Sequence, residues 1–202
     1  MEQTKFILWG AGGHSKVILS IIEDIKGDLV GVIDSDSNKK QFGGVSVLNK
    51  YDPDNFPEAK VIISIGDNQT RKKLVENISH QSLAIIHSSS VIDKQVSIGK
   101  GTVVMQNVTI QRDVLIGTHV IVNTSSTIDH DTNISDFAHI GPGVVLCGSV
   151  QVGEGTLIGA GAVVLPGVKI GKWATIGAGS IVLFDVQDNE VVVGNPARKI
   201  IK

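Results

Sequence analysis

From Ile86 to Val182 every sixth residue is a branched aliphatic, running Ile86, Ile92, Ile98, Val104 and onward without an insertion to Ile170, Ile176 and Val182. Seventeen consecutive positions obey the rule. Branched aliphatics fill only roughly a quarter of an average chain, so chance does not produce the pattern. Four residues beyond each aliphatic stands a small or β-branched residue, as at Thr102, Ser126, Ala138, Ala162, Ser180 and Val186. A period of six fits neither a helix at 3.6 nor a lone strand at 2. It fits a short strand plus a turn, repeated. Three such units close a triangular coil of 18 residues, with the aliphatics inside and the small residues where the wall bends. One coil cannot bury its own face, so several must stack. The pattern predicts a left-handed parallel β-helix of hexapeptide repeats over residues 86–187 and a capping segment over 188–202.

Residues 1–85 follow another rhythm. Phe6-Ile7-Leu8-Trp9 reads as a buried strand. The turn Gly10-Ala11-Gly12-Gly13-His14 comes next, then Ser15 to Ile25 with apolar residues at helical spacing. Leu29 to Ile33 and Val61 to Ile65 read as further strands, and a polar helix runs from Asp67 or Asn68 to about Ile78. Strand, Gly-rich turn, helix, strand is a Rossmann-like α/β unit. Glycines let a backbone approach a phosphate, and a helix start offers free N–H groups to an anion. Asp34 lies about 20 residues beyond, where such folds contact a ribose hydroxyl. Ser15, however, stands where a dinucleotide motif has its third glycine, and the unit is half of a dinucleotide fold. A mononucleotide or sugar nucleotide fits better than NAD; the alternative is a tight turn with no ligand.

Composition narrows the partners. Twenty-three glycines against 4% aromatics suit repeated turns around an aliphatic core. A net charge of −2 without a basic stripe argues against nucleic acid. The sole cysteine, Cys147, excludes an internal disulfide framework and has nothing near it to activate a thiolate. The run Phe6 to Trp9 is too short for a signal-peptide core, and no apolar stretch reaches the roughly 20 residues a membrane span needs. The expectation is a cytoplasmic protein with no membrane partner.

The chemistry candidates lie in the repeats. In Ser125-Ser126-Thr127-Ile128-Asp129-His130-Asp131, Ile128 points inward, so His130 and Asp131 fall near a turn. An imidazole beside a carboxylate makes a general base near neutral pH; a solvated turn histidine is the bland alternative. His87, His119 and Trp173 also fall in turns, with no chemical role to give them and packing between subunits as the plain reading. After the last coil, Gly194-Asn195-Pro196-Ala197-Arg198-Lys199 is either a cationic turn for a phosphate or a cap on the open end.

The repeats ending in Gly194-Asn195-Pro196-Ala197-Arg198 resemble the left-handed β-helix acyltransferases. Three further motifs resemble a narrower group: Gly10-Ala11-Gly12-Gly13-His14, Asn123-Thr124-Ser125-Ser126 leading to Ile128-Asp129-His130-Asp131, and Asp136-Phe137-Ala138-His139. The group is the bacterial sugar acetyltransferases of the UDP-4-amino-sugar (bacillosamine) N-acetyltransferase and polysialic acid O-acetyltransferase type. The resemblance implies a homotrimer with active sites between neighbouring β-helices, acetyl-CoA along the coils, a nucleotide-linked amino sugar on the N-terminal unit, and no metal. His130 would be the base, backed by Asp131 where the family has Glu. His139 would meet the acetyl-CoA end. Gly148, Ala160, Gly177, Ala178 and Arg198 would hold the rest of acetyl-CoA, with Ala178 in place of a family glycine. Gly12, Gly13, His14, Asp34, Ser35 and Gly66 would hold the nucleotide sugar, with Ser35 where a second acidic residue is usual. Three functions stay open: N-acetylation of a nucleotide-linked 4-amino-4,6-dideoxy sugar, O-acetylation of a sialic acid or related hydroxyl, and a non-catalytic nucleotide-binding scaffold.

Overall fold

The computed structural model describes residues 3–200. Residues 201 and 202, the end of the expected capping segment, lie outside the described residues.

The N-terminal unit is a five-stranded sheet. Its strands are β1 (Lys5–Trp9), β2 (Asp28–Ile33), β3 (Gln41–Phe42), β4 (Val45–Leu48) and β5 (Lys60–Ile63), in the order β3-β4-β2-β1-β5. All neighbours are parallel except the hairpin β3–β4, which the apolar pattern does not announce because its strands are too short to show a period. Helix α1 (Gly13–Asp24) buries Ile18, Ile21 and Ile22, the spacing of one helical face. Helix α2 (Asn68–Val75) starts on Asp67, whose side chain accepts the Thr70 N–H. Ser15 is fully buried, accepts the Gly12 N–H and bonds the Ser64 hydroxyl. It therefore tethers the Gly-rich turn where a dinucleotide fold would have glycine. At Gly10, with φ +120°, a Cβ would stand 2.8 Å from the Ile65 side chain, so only glycine fits between β1 and the end of β5.

The remainder is the left-handed parallel β-helix. Its rungs are two residues long, from Ile85–Ile86 to Ile181–Val182. Up to Val163–Val164 each pairs in parallel with the rung 18 residues on, as in Thr109↔Thr127 and Ile110↔Ile128. The second residue of each rung is the repeat aliphatic, and from Val104 to Val182 these side chains form one buried core. The rungs stack into three sheets. The first face holds Ile85–Ile86, Val103–Val104, Ile121–Val122 and their successors; the second holds Val91–Ile92, Thr109–Ile110, Thr127–Ile128 and theirs; the third holds Ser97–Ile98, Leu115–Ile116, Asn133–Ile134 and theirs.

Beyond Val182 the phase breaks. Val186, which the period treats as a small residue at a bend, pairs with Ile170 and points into the core, and Val192 pairs with Ile176. The inward positions Val182 and Val186 are thus four residues apart rather than six. The shortened corner leaves the backbone N–H groups of Lys169 and Lys172 to the side chains of Asp185 and Asp188. Val191–Val193 and Arg198–Lys199 then form an antiparallel hairpin at the end of the first face.

The α/β unit docks on the first face. Ile18, Ile21 and Ile22 share a core with Ile85, Val103, Met105 and Ile121, whose side chains point out of the prism. This also corrects the reading of His119 as a subunit contact, since its side chain is buried within the chain, whereas Trp173 stays half-exposed. Both meet α2 of the same chain at the corner between third and first faces. His119 is 3% exposed and stacks on Phe137, and its carbonyl accepts from Arg71. Lys72 lies 5.9 Å from the Phe137 ring centroid and 5.5 Å from that of Trp173.

Candidate active site

The corners of the prism decide which candidates can meet. His130 lies at the corner between the second and third faces, because Thr127–Ile128 belongs to one and Asn133–Ile134 to the other. Its ring is exposed. Asp131 Oδ2 lies 2.8 Å from Nδ1, so the shorter Asp side chain reaches the imidazole. The carboxylate accepts the Nδ1 proton and leaves Nε2 as the unprotonated nitrogen. The hydrogen bond to Asp131, followed by the charge of Asp129, raises the His130 pKa above its usual 6.5. One coil further on, Gly148 lies under the ring, where a Cβ would come within 2.7 Å of Cε1. His130 and Gly148 therefore form one surface.

The second set lies around the first face. His14 enters at the start of α1 and comes within 6.3 Å of His139, ring centroid to centroid. Asn123 Nδ2 donates to His139 Nε2 at 3.2 Å, its own amide oxygen being held by the Thr124 N–H. The His139 proton therefore sits on Nδ1, facing the Gly66 carbonyl at 3.4 Å. Burial, and then the nearby Arg71 cation, push both His14 and His139 down to about 4, with each imidazole neutral at pH 7. Among the described residues, His14 Nε2 is buried with no hydrogen-bond partner. A Cβ at Gly12, Gly13 or Gly66 would meet nothing within 4 Å. The turn thus opens onto free space beside an unsatisfied imidazole nitrogen, a fit for a ligand with hydroxyl or phosphate groups.

Asp34 stands beside the same turn. Its carboxylate accepts from the Ala11 and Asp36 N–H groups and from Lys39 Nζ at 2.7 Å. Burial alone would raise its pKa, but Lys39 and the two N–H groups outweigh it and hold the group ionised. Ser35 next to it is exposed.

The expected acetyl-CoA residues are split. Ala160, Gly177 and Ala178 line the corner between first and second faces, while Gly148 is at the opposite edge of the second face with His130. Ala178 is not among the residues with positive φ, so alanine is unstrained there. Arg198 is exposed in the terminal hairpin, its guanidinium bonded to the Ala197 carbonyl. One chain therefore does not bring His130 to the Gly-rich turn. Burial raises the Cys147 thiol above its usual range, which leaves it a poor nucleophile. Among the described residues no cluster could hold a metal, and no helix is long and apolar enough to cross a membrane.

Residues 5–78 match the family described as PglD N-terminal domain, and residues 131–165 and 149–183 match bacterial transferase hexapeptide repeats. Among solved structures, PerB from Caulobacter crescentus, determined with CoA and GDP-perosamine, superposes with a TM-score of 0.91 at 32% identity, covering 97% of each chain. The acetyltransferase domain of PglB from Neisseria gonorrhoeae, determined with acetyl coenzyme A, gives 0.89 at 30% identity over 98% of this chain and all of that one. The chain belongs to the bacterial left-handed β-helix sugar acetyltransferases. A further member of this acetyltransferase group, UDP-N-acetylbacillosamine N-acetyltransferase from Bacillus subtilis (strain 168), is 36% identical over 109 residues, which span 48% of this chain and 49% of that protein.

Site residues that the sequence pattern passes over are Asn123, Lys39, Asn68 and Arg71. Asn123 belongs to a quoted motif but shows its role only through His139. The other three sit in polar stretches, where nothing along the chain distinguishes a solvated side chain from a buried one.

Proposed function

We propose that this chain transfers the acetyl group of acetyl-CoA to the amino group of a nucleotide-linked 4-amino-4,6-dideoxy sugar, with His130 as general base. The observation that carries the reading is the His130–Asp131 pair: an exposed imidazole with Nδ1 engaged, Nε2 free and glycine beneath it. The amine nitrogen attacks the thioester carbon, forming the C–N bond as the C–S bond breaks. His130 Nε2 takes the proton from the attacking nitrogen and returns it to the departing sulfur, which leaves as the thiol. Gly12, Gly13, His14 and Gly66 hold the nucleotide sugar; Gly148 and the Ala160–Ala178 corner hold acetyl-CoA. PerB, determined with CoA and GDP-perosamine, and PglB, determined with acetyl coenzyme A, support the choice of acetyl-CoA and a nucleotide-linked amino sugar as the two substrates.

The working unit is a homotrimer. The side chains that point out of the second face form a ladder of Val91, Thr109, Thr127, Val145, Val163 and Ile181, all apolar or β-branched. The third face presents Ser97, Leu115, Asn133, Gln151 and Lys169, with one apolar member. His130 edges one side of the apolar face, and Ala160, Gly177 and Ala178 edge the other. A cyclic assembly through this face sets one edge of each copy against the opposite edge of its neighbour, which carries His130 to a partner's Gly-rich turn. The reaction belongs in the cytoplasm, where acetyl-CoA and nucleotide sugars are made.

The test is a thiol-release assay with acetyl-CoA against UDP-, dTDP- and GDP-linked 4-amino sugars, with sialic acid as the hydroxyl control. Release with one amino sugar is the expected result. Release with sialic acid alone would make the protein an O-acetyltransferase, and silence throughout would make it a non-catalytic scaffold.

A further inference from the structure

Arg71 is the largest fully buried side chain, 1% exposed, and it sits on a helix whose sequence reads as polar. Among the described residues it forms no ion pair. Its guanidinium donates to backbone carbonyls on three segments. Nε meets His119 O at 2.8 Å; one terminal nitrogen meets Ile65 O and Gly66 O at 3.1 and 3.2 Å. The other meets Phe137 O at 2.6 Å, Ala138 O at 3.3 Å and the Asn68 side-chain oxygen at 2.8 Å. Asn68 in turn donates to Gly155 O. Burial lowers the Arg71 pKa to about 10, so it stays a cation at pH 7. A cation buried without a carboxylate costs free energy that an apolar residue at a domain junction would avoid. The planar fork, however, satisfies every N–H on carbonyls from both units at once.

Those carbonyls are not scattered. Gly66 O is also the acceptor facing His139 Nδ1, and Ala138 immediately precedes His139. We propose that Arg71 is a positioning residue of the transfer site: it pins the Gly66 turn of the α/β unit and the Phe137–Ala138 corner of the prism to one guanidinium, and so fixes where His139 stands against His14 and the Gly-rich turn. The same cation is the second cause, after burial, of the low pKa of both histidines. The other charged or titratable group acting on His139 is His14. His139 is thereby a fixed neutral imidazole with its proton on Nδ1. The inference rests on the acetyl-transfer reading for its kinetic consequence but not for its structural one.

The experiment compares Arg71→Lys and Arg71→Met with the wild type by thermal melting, by steady-state kinetics and by the imidazole titrations of His14 and His139 followed by NMR in the ligand-free protein. Arg71→Lys keeps the charge and loses the fork. It should fold, hold both histidines near their wild-type titration, and lose about 10²-fold in kcat, with KM for acetyl-CoA changed less than about threefold. In Arg71→Met the His139 titration should rise from about 4 toward 6.5. A merely structural latch would lower the melting temperature while leaving kcat and both titrations unchanged, and that result overturns the proposal. Failure of both variants to fold also overturns it, by making Arg71 a folding residue alone. If the wild type turns over no acceptor, the function reading falls, and the His139 titration still decides what Arg71 holds.

Discussion

His130 and His139 are close in sequence and belong to opposite electrostatic settings. His130 stands exposed at a corner, bonded to Asp131, and its pKa is raised. His139 is enclosed between the first face and the Gly66 turn, beside a buried cation, and its pKa is lowered to about 4. At neutral pH the first is poised to take a proton; the second stays a neutral donor and acceptor. The difference comes from surroundings alone, since the side chains are identical. On the proposed function, proton transfer belongs to the corner, and recognition to the enclosed set.

Replacing His130 by Ala breaks the comparison most directly. The turnover should fall by about 10²–10⁴, with no change in melting temperature because the exposed ring supports no packing. Unchanged turnover in the thiol-release assay would remove the corner from the chemistry.

The enclosed histidines should show themselves in stability. His14, His119 and His139 have folded pKa values of about 4 against 6.5 when unfolded. Depressed values stabilise the fold fully above pH 6.5, and that contribution is lost as pH falls toward 4. The loss is at most about 1.4 kcal/mol per pH unit for His119, which is nearly inaccessible, and smaller for the partly solvated His14 and His139. Chemical denaturation at pH 7, 5.5 and 4.5 should show a steady decline. A flat profile would mean these imidazoles are solvated.

Asp131→Asn should give the smallest effect and the sharpest one. Loss of the carboxylate removes the main cause of the raised His130 pKa. The unprotonated base then appears at lower pH, so the acid limb of kcat/KM moves down, and the plateau falls less than in His130→Ala. Asn tolerates the φ of +59° at this position, which keeps the corner intact. An unmoved limb would assign it to another group.

Much of the fold is legible along the chain. The six-residue period places every inward aliphatic up to Val182, because stacked coils bury the same position repeatedly. It fails at Val186, where a shortened corner shifts the phase, since a period cannot signal its own end. The site is legible in part. Asp131 beside His130 is a local pair, fixed by one peptide unit. Asn123 meets His139 because adjacent coils stack on the first face, whereas His14 and Gly66 meet it only because the α/β unit docks there.

The sequence by itself determined the prism, the Gly-rich turn and the His130–Asp131 pair, all set by short-range spacing. Only the tertiary structure decided that His130 and the Gly-rich turn lie on different sides of one chain, and that the polar-looking Arg71 is the buried pin between the two units. Burial is a property of what packs against a residue, and for Arg71 that partner is a corner of the prism far along the chain, which no local pattern around α2 encodes.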